Sequence, residues 1–298
     1  MHYNFVVLQR PSCGQVIMRS VRVGIKAARL FAYGVIGSVA VWQPGFSAPV
    51  AKMLTDSSYI QQTEALGARQ VAQVSAYLDT TLPPELRDQF ELFIYVSKAE
   101  AGPWAQHMFV FAKERSNAAH PKLIPMGDWR VSTGREQMER AKNGERMSTA
   151  TPAGFYQLDA ARFFPDYHSA QWDRDMPNAM FFDLVNRGLP TGLAIHGVKD
   201  GDQTTALGTR ASAGCVQLSL EASQRLFDLV RDNFEGEVPR FAYDQKTRTT
   251  SNKGAFERDK DDNLVMANGY SALVIIEDYG GIDDPATALA VDLRGSAG

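Results

Sequence analysis

Two cysteines in 298 residues are too few for a disulfide framework. Neither Cys13 nor Cys215 belongs to a Cys-x-x-Cys pair. The five histidines (His2, His107, His120, His168 and His196) show no His-x-x-x-His spacing. Zinc-ligand spacing is therefore missing. Dinucleotide-binding and phosphate-binding glycine patterns are missing too, and no internal repeat is present. No cofactor and no metal is expected. Positive charge is scarce where a nucleic-acid binder would need it. Five of the 31 basic groups (Arg10, Arg19, Arg22, Lys26 and Arg29) lie in residues 1–51, which hold no acidic residue. All 34 acidic groups lie beyond that point, so the remainder is clearly negative and lacks a basic face.

Long hydrophobic runs are missing as well. The longest, Leu30 to Trp42, follows Arg19, Arg22, Lys26 and Arg29 and precedes Gln43-Pro44-Gly45. It falls short of the about 20 residues that a membrane span needs, and it has the layout of a secretory signal. Met18 is an alternative start, and cleavage is expected after Ala48 or Ala51. An uncleaved N-terminal anchor is the other reading of residues 1–51. Either way the rest is expected on the exported side, periplasmic or cell-wall associated. Export would leave Cys215 as the single thiol. A lone thiol in an oxidising compartment is a liability unless it is used, and a small buried hydrophobe is the bland alternative.

Residues 52–89 form a helical lead-in. From Ser58 to Leu78, Ile60, Ala68, Val71, Val74 and Leu78 fall near one face at helical spacing, and the helix should end before Thr80 to Pro84. The period then changes. Leu92 to Val96 and His107 to Phe111 read as a hairpin, followed by strands at Trp129 to Ser132, Phe155 to Leu158, Ala179 to Leu184, Leu193 to Ile195 and Tyr270 to Glu277. Short strands with one long helix only after the cysteine predict a mostly-β domain over residues 90–280. Within it, the stretch from Arg162 to Pro177 carries Phe163, Phe164, Tyr167 and Trp172, as a flap over a cleft or a loop pinned by its own aromatics. Residues 245–263 read as a charged, mobile insertion, and 281–298 as a flexible tail.

The chemistry concentrates in Ile195-His196-Gly197 and Ser212-Ala213-Gly214-Cys215-Val216-Gln217-Leu218. His196 should close a strand, and Cys215 should lie on a glycine-bearing turn before a helix capped by Ser219. A nucleophile and its base have this arrangement. An imidazolium and a helix N-terminus nearby would lower the thiol pKa. Gly214 would let the Gly214 and Cys215 N–H groups face a developing oxyanion, with Ala213 keeping its backbone donor.

The spacing resembles that of the L,D-transpeptidase catalytic domain, a family of peptidoglycan cross-linking cysteine enzymes. Two upstream segments agree with it: Val131-Ser132-Thr133-Gly134, and Thr151-Pro152-Ala153-Gly154-Phe155-Tyr156. The resemblance covers roughly residues 90–245. It implies a β-sandwich-like catalytic domain and a histidine oriented by the following backbone carbonyl, here that of Gly197. It further implies a thioester on Cys215, formed from a peptidoglycan tetrapeptide stem. An amine on a second stem, or on a lipoprotein or outer-membrane protein, would resolve that thioester. Hydrolysis on the same site and a non-catalytic wall-binding module are the alternatives. The family usually carries a second histidine where this chain has Ala213, and an Arg or Asn where it has Gln217. Gln217 and Tyr156 are the expected substrate contacts, with a core position as the other reading of Tyr156.

Overall fold

The computed structural model describes residues 67–114, 121–199 and 201–281. The signal or anchor segment 1–51, the first part of the lead-in and the tail from 282 lie outside the described residues, as do His2, Cys13 and His120. Within them, Leu92–Ser97 (β1) and His107–Lys113 (β2) explain the architecture. Both are apolar at almost every position and buried along nearly their whole length. A strand covered on one side only would alternate, so these strands are covered on both.

They form the expected antiparallel hairpin within a mixed eight-stranded sheet. Its other strands are Leu123–Arg130 (β3), Gly154–Phe164 (β4), Ala179–Phe182 (β5), Ala194–Val198 (β6), Val216–Ser219 (β7) and Ala272–Glu277 (β8). The order is β7-β6-β5-β4-β8-β1-β2-β3. Strand β4 belongs to both halves of the sheet. Its first residues pair with β8, and Leu158 to Phe164 pair with β5 across a register shift. A long strand shared in this way turns the corner between two packed layers. Ile94, Val96 and Val110 of one half and Phe182, Ile195 and Val216 of the other accordingly enclose a single core. The fold is mostly β and sandwich-like, as the sequence suggests.

Helix Leu220–Asn233 (here the C-terminal helix) closes that core with Leu226, Phe227 and Val230. Ser219 caps it as expected, its hydroxyl accepting from the Ala222 N–H at 3.2 Å. The opposite sheet face, with Phe93, Tyr95, Phe109 and Ile275, is covered by helix Ala68–Thr81 (α1) through Val74, Tyr77 and Leu78. The described part of the lead-in thus packs on the sheet. Helix α1 runs through Thr81, past the expected end, because the Thr80 and Thr81 hydroxyls bond back to the Tyr77 carbonyl at 2.9 and 2.8 Å. A second helix, Pro84–Gln89 (α2), is a feature the sequence reading missed. Proline suits its first position because the N–H there has no helical partner anyway.

The charged insertion 245–263 packs into the domain at both of its ends. Tyr243–Asp244 pairs with Thr249–Thr250, and Phe241 bridges Phe256. Buried Phe256 stacks on Phe90. Composition there reflects the outer face, while one aromatic anchors the inner one. The stretch from Arg162 to Pro177 is pinned by its own rings. Phe164 stacks on Tyr167, and both pack against Phe181.

Candidate active site

Strands β6 and β7 run parallel, with Ile195 opposite Val216 and His196 opposite Gln217. Ile195, Val216 and Leu218 point into the core. The period of two therefore puts His196 on the other face, together with Cys215, which immediately precedes β7. Cys215 packs there against Ala194, Ala179 and Phe181. The two residues proposed as base and nucleophile thus share one face of neighbouring strands. Two local expectations are corrected. His196 is the third of five residues in β6, not its end. Cys215 leads into a strand, and the helix begins only at Leu220.

His196 is 4% exposed. Its Nδ1 lies 2.7 Å from the Gly197 carbonyl oxygen, the orienting contact expected of that carbonyl. A carbonyl only accepts, so Nδ1 carries the proton and Nε2 keeps its lone pair. Burial pulls the imidazole pKa down to about 4, and the bond to Gly197 opposes that pull. Position 197 must be glycine for packing reasons. A Cβ there would lie 2.3 Å from Ser223 Oγ.

The half-buried Cys215 thiol donates to the Gly192 carbonyl at 3.5 Å rather than to His196. Packing around the sulfur pushes its pKa up to about 11, with a backbone hydrogen bond at Ala194 acting the other way. The expected lowering by an imidazolium and a helix N-terminus does not occur. A buried imidazole is not charged at neutral pH, and the helix starts too far along the chain. The resting pair is neutral thiol and neutral imidazole.

The turn before Cys215 is fixed from two sides. Ser212 Oγ accepts from the Gly214 N–H at 3.1 Å and donates to the Cys215 carbonyl at 2.5 Å. Thr151 Oγ1 donates to the Gly214 carbonyl at 2.7 Å and accepts from the Gly134 N–H at 2.8 Å. The Gly214 N–H is thus occupied, which removes it from the expected oxyanion pair. Gly214 has φ +114°, and a Cβ there would meet the Ala150 carbonyl at 3.0 Å. Ser132 joins the same frame through a two-way backbone pairing with Gln217. Its hydroxyl accepts from the Ala211 N–H at 3.1 Å.

The segments 131–134 and 151–156 therefore form the bed of the cysteine turn. Sequence reasoning noted these segments without giving Ser132 or Thr151 a role. Ala213 and Gln217 lie half-buried beside the turn. Tyr156 is not brought to the site. It is 2% exposed, its ring stacks on Phe182, and its hydroxyl donates to the Pro152 carbonyl at 2.8 Å. His107 pairs with buried Asp128 at 3.1 Å on a different part of the sheet. His168 borders an open cavity of about 230 Å³ with Asp166, Tyr167, Asp175, Pro177 and Lys199, a lining that includes neither Cys215 nor His196. Among the described residues, no three His, Cys, Asp or Glu side chains converge as metal ligands.

The family model of the L,D-transpeptidase catalytic domain matches residues 94–251, more than half of the chain. No curated protein matches. Solved structures similar to this one include an L,D-transpeptidase from Xylanimonas cellulosilytica, at 18% identity and TM-score 0.33 over 68% of this chain and 69% of that one. Another is an L,D-transpeptidase from Mycobacterium smegmatis, at 12% identity and TM-score 0.33 over 63% and 59%.

Proposed function

The chain belongs to the L,D-transpeptidase catalytic domain family, and from that premise we propose that it is an acyl-transfer enzyme of peptidoglycan stem peptides, with Cys215 as nucleophile and His196 as base. The observation that carries this reading is the Nδ1–H bond of His196 to the Gly197 carbonyl. It leaves Nε2 unprotonated on the strand face that it shares with Cys215.

The reaction then runs as two acyl transfers. As the Cys215 sulfur attacks the carbonyl of the third stem residue, its proton moves to His196 Nε2. Collapse of the tetrahedral intermediate breaks the C–N bond, and His196 returns the proton to the departing D-alanine amine. A thioester on Cys215 remains. The amine of a second stem attacks this thioester, His196 takes a proton from that amine, and the sulfur leaves as the thiol with that proton returned to it. The Cys215 N–H is the backbone donor proposed to meet the oxyanion, now that Ser212 holds the Gly214 N–H. The same reading puts the domain on the exported side of the membrane, where such stems are found.

The deciding experiment incubates the protein with disaccharide-tetrapeptide and reads the products by mass spectrometry, with Cys215→Ala alongside. Dimers that depend on Cys215 are the expected result. Tripeptide alone would turn the reading into hydrolysis, and an unchanged substrate would overturn acyl transfer between stems.

A further inference from the structure

The Thr151 hydroxyl meets the Gly214–Cys215 peptide bond from its carbonyl side. That peptide unit is planar and trans, so its carbonyl and its N–H point in opposite directions. Whatever fixes the Gly214 carbonyl also fixes the aim of the Cys215 N–H. Thr151 Oγ1 holds this carbonyl at 2.7 Å. A hydrogen bond to a carbonyl also polarises its peptide, which makes the attached N–H a stronger donor.

Thr151 is fully buried and is itself held in place. Its N–H donates to Glu136 Oε1 at 3.2 Å, and its carbonyl accepts from Lys98 Nζ at 2.9 Å. Lys98 and Glu136 pair with each other at 3.2 Å. Lys98 is itself buried, and its carbonyl accepts from Gln106 Nε2 at 2.8 Å and from Arg210 Nε at 2.9 Å. An ion pair between a buried lysine and a half-buried glutamate is a costly way to hold a loop unless each charge finds a defined partner. Here both charges converge on the backbone of one residue.

We propose that Thr151, braced by Lys98 and Glu136, is a positioning residue that aims and polarises the Cys215 N–H as the oxyanion donor. The inference rests on the acyl-transfer reading of Cys215 but not on the identity of the acyl donor. Its chemical signature is selective. Attack on a carbonyl generates an oxyanion and needs the donor, whereas alkylation of sulfur by iodoacetamide generates none.

The test compares two reactions of Cys215 in the full chain: acylation by p-nitrophenyl acetate, and alkylation by iodoacetamide. Thr151→Val keeps the shape and removes the hydroxyl. It should slow acylation about 10- to 100-fold, below the loss expected when an oxyanion donor is removed outright. Alkylation should stay within about threefold, because the sulfur and its base are untouched. Thr151→Ser restores the hydroxyl and should recover acylation to within about threefold of the parent. If Thr151→Val does not fold, Lys98→Met carries the test, with a smaller selective loss of acylation.

Equal loss of both reactions would reduce Thr151 to a structural residue, and loss of neither would remove it from the mechanism. Acylation of the unsubstituted protein no faster than that of Cys215→Ala would overturn the inference as well. A protein that reacts with the ester in this pattern but leaves tetrapeptide unchanged would refute the stem-peptide reading alone.

Discussion

Two histidines in this molecule have opposite surroundings. His168 is exposed, with Asp175 at 2.9 Å and Asp173 at 3.4 Å, and it borders the open cavity with Lys199. The hydrogen bond to Asp175 raises its pKa. His196 is buried, has no carboxylate partner among the described residues, and gives its Nδ1–H to the Gly197 carbonyl. Burial lowers its pKa to about 4. Charge density and concavity would point to the first. A fixed tautomer beside a thiol points to the second. A general base at neutral pH must be unprotonated and oriented, and desolvation supplies the first condition as the carbonyl supplies the second.

The largest effect that would break this contrast is loss of activity. His196→Ala and Cys215→Ala should each lower turnover of disaccharide-tetrapeptide by about 10³-fold or more, as removal of a base or nucleophile does elsewhere. His168→Gln should leave turnover unchanged in the same assay. A His168 variant as damaged as the His196 variant would reverse the assignment.

Next comes the turn. Gly214→Ala places a side chain at φ +114° and against the Ala150 carbonyl. The strain should cost about 1–3 kcal/mol and lower the thermal midpoint. It should also slow acylation more than alkylation, since the Cys215 amide moves with the turn.

The dependence on pH separates the two histidines further. The pKa of His196 falls from its ordinary value near 6.5 to about 4 on folding. Between those values the unfolded chain binds a proton that the folded one refuses, so stability falls as pH drops through this window. The change is of order 3 kcal/mol. His168 has a raised pKa, so its stabilising effect persists in acid and fades as pH rises through that value. Chemical denaturation between pH 4 and pH 8.5 checks both signs, and His168→Gln should leave the acid slope in place. At the alkaline end Cys215 is harder to ionise folded than unfolded, so stability should decline between about pH 9 and pH 11.

The smallest effect concerns an exposed tie. Lys142 Nζ pairs with Asp173 at 2.7 Å, and both are largely solvent-facing. Lys142→Met should shift the midpoint very little, because exposed ion pairs contribute weakly.

Much of the scaffold was legible because it is apolar and periodic. The hairpin from Leu92 to Phe111 and the helix capped by Ser219 follow from local pattern alone. His196 and Cys215 each have a recognisable neighbourhood in sequence, and the structure puts them on one face of neighbouring strands. What escaped the sequence depends on distant partners. Thr151 meets Gly214 across 63 positions, and nothing near residue 151 announces that contact. Tyr156 is two residues from a motif glycine, yet Phe182 takes its ring into the core. The thiol's direction of shift was misjudged for a related reason. Burial is a property of the whole fold, whereas the adjacent histidine and helix were visible in the chain.

The last strand of the sheet, Ala272–Glu277, lies between β4 and β1 rather than at an edge. Val274 and Ile276 fill the core that supports β6 and β7. Assembly therefore waits for contacts of very long sequence separation, which close slowly and late. A chain emerging from a ribosome or a translocation channel cannot complete this sheet until residue 277 is out. Until then the core beneath β6 and β7 is incomplete, so the face that His196 and Cys215 share is finished only once residue 277 has joined it.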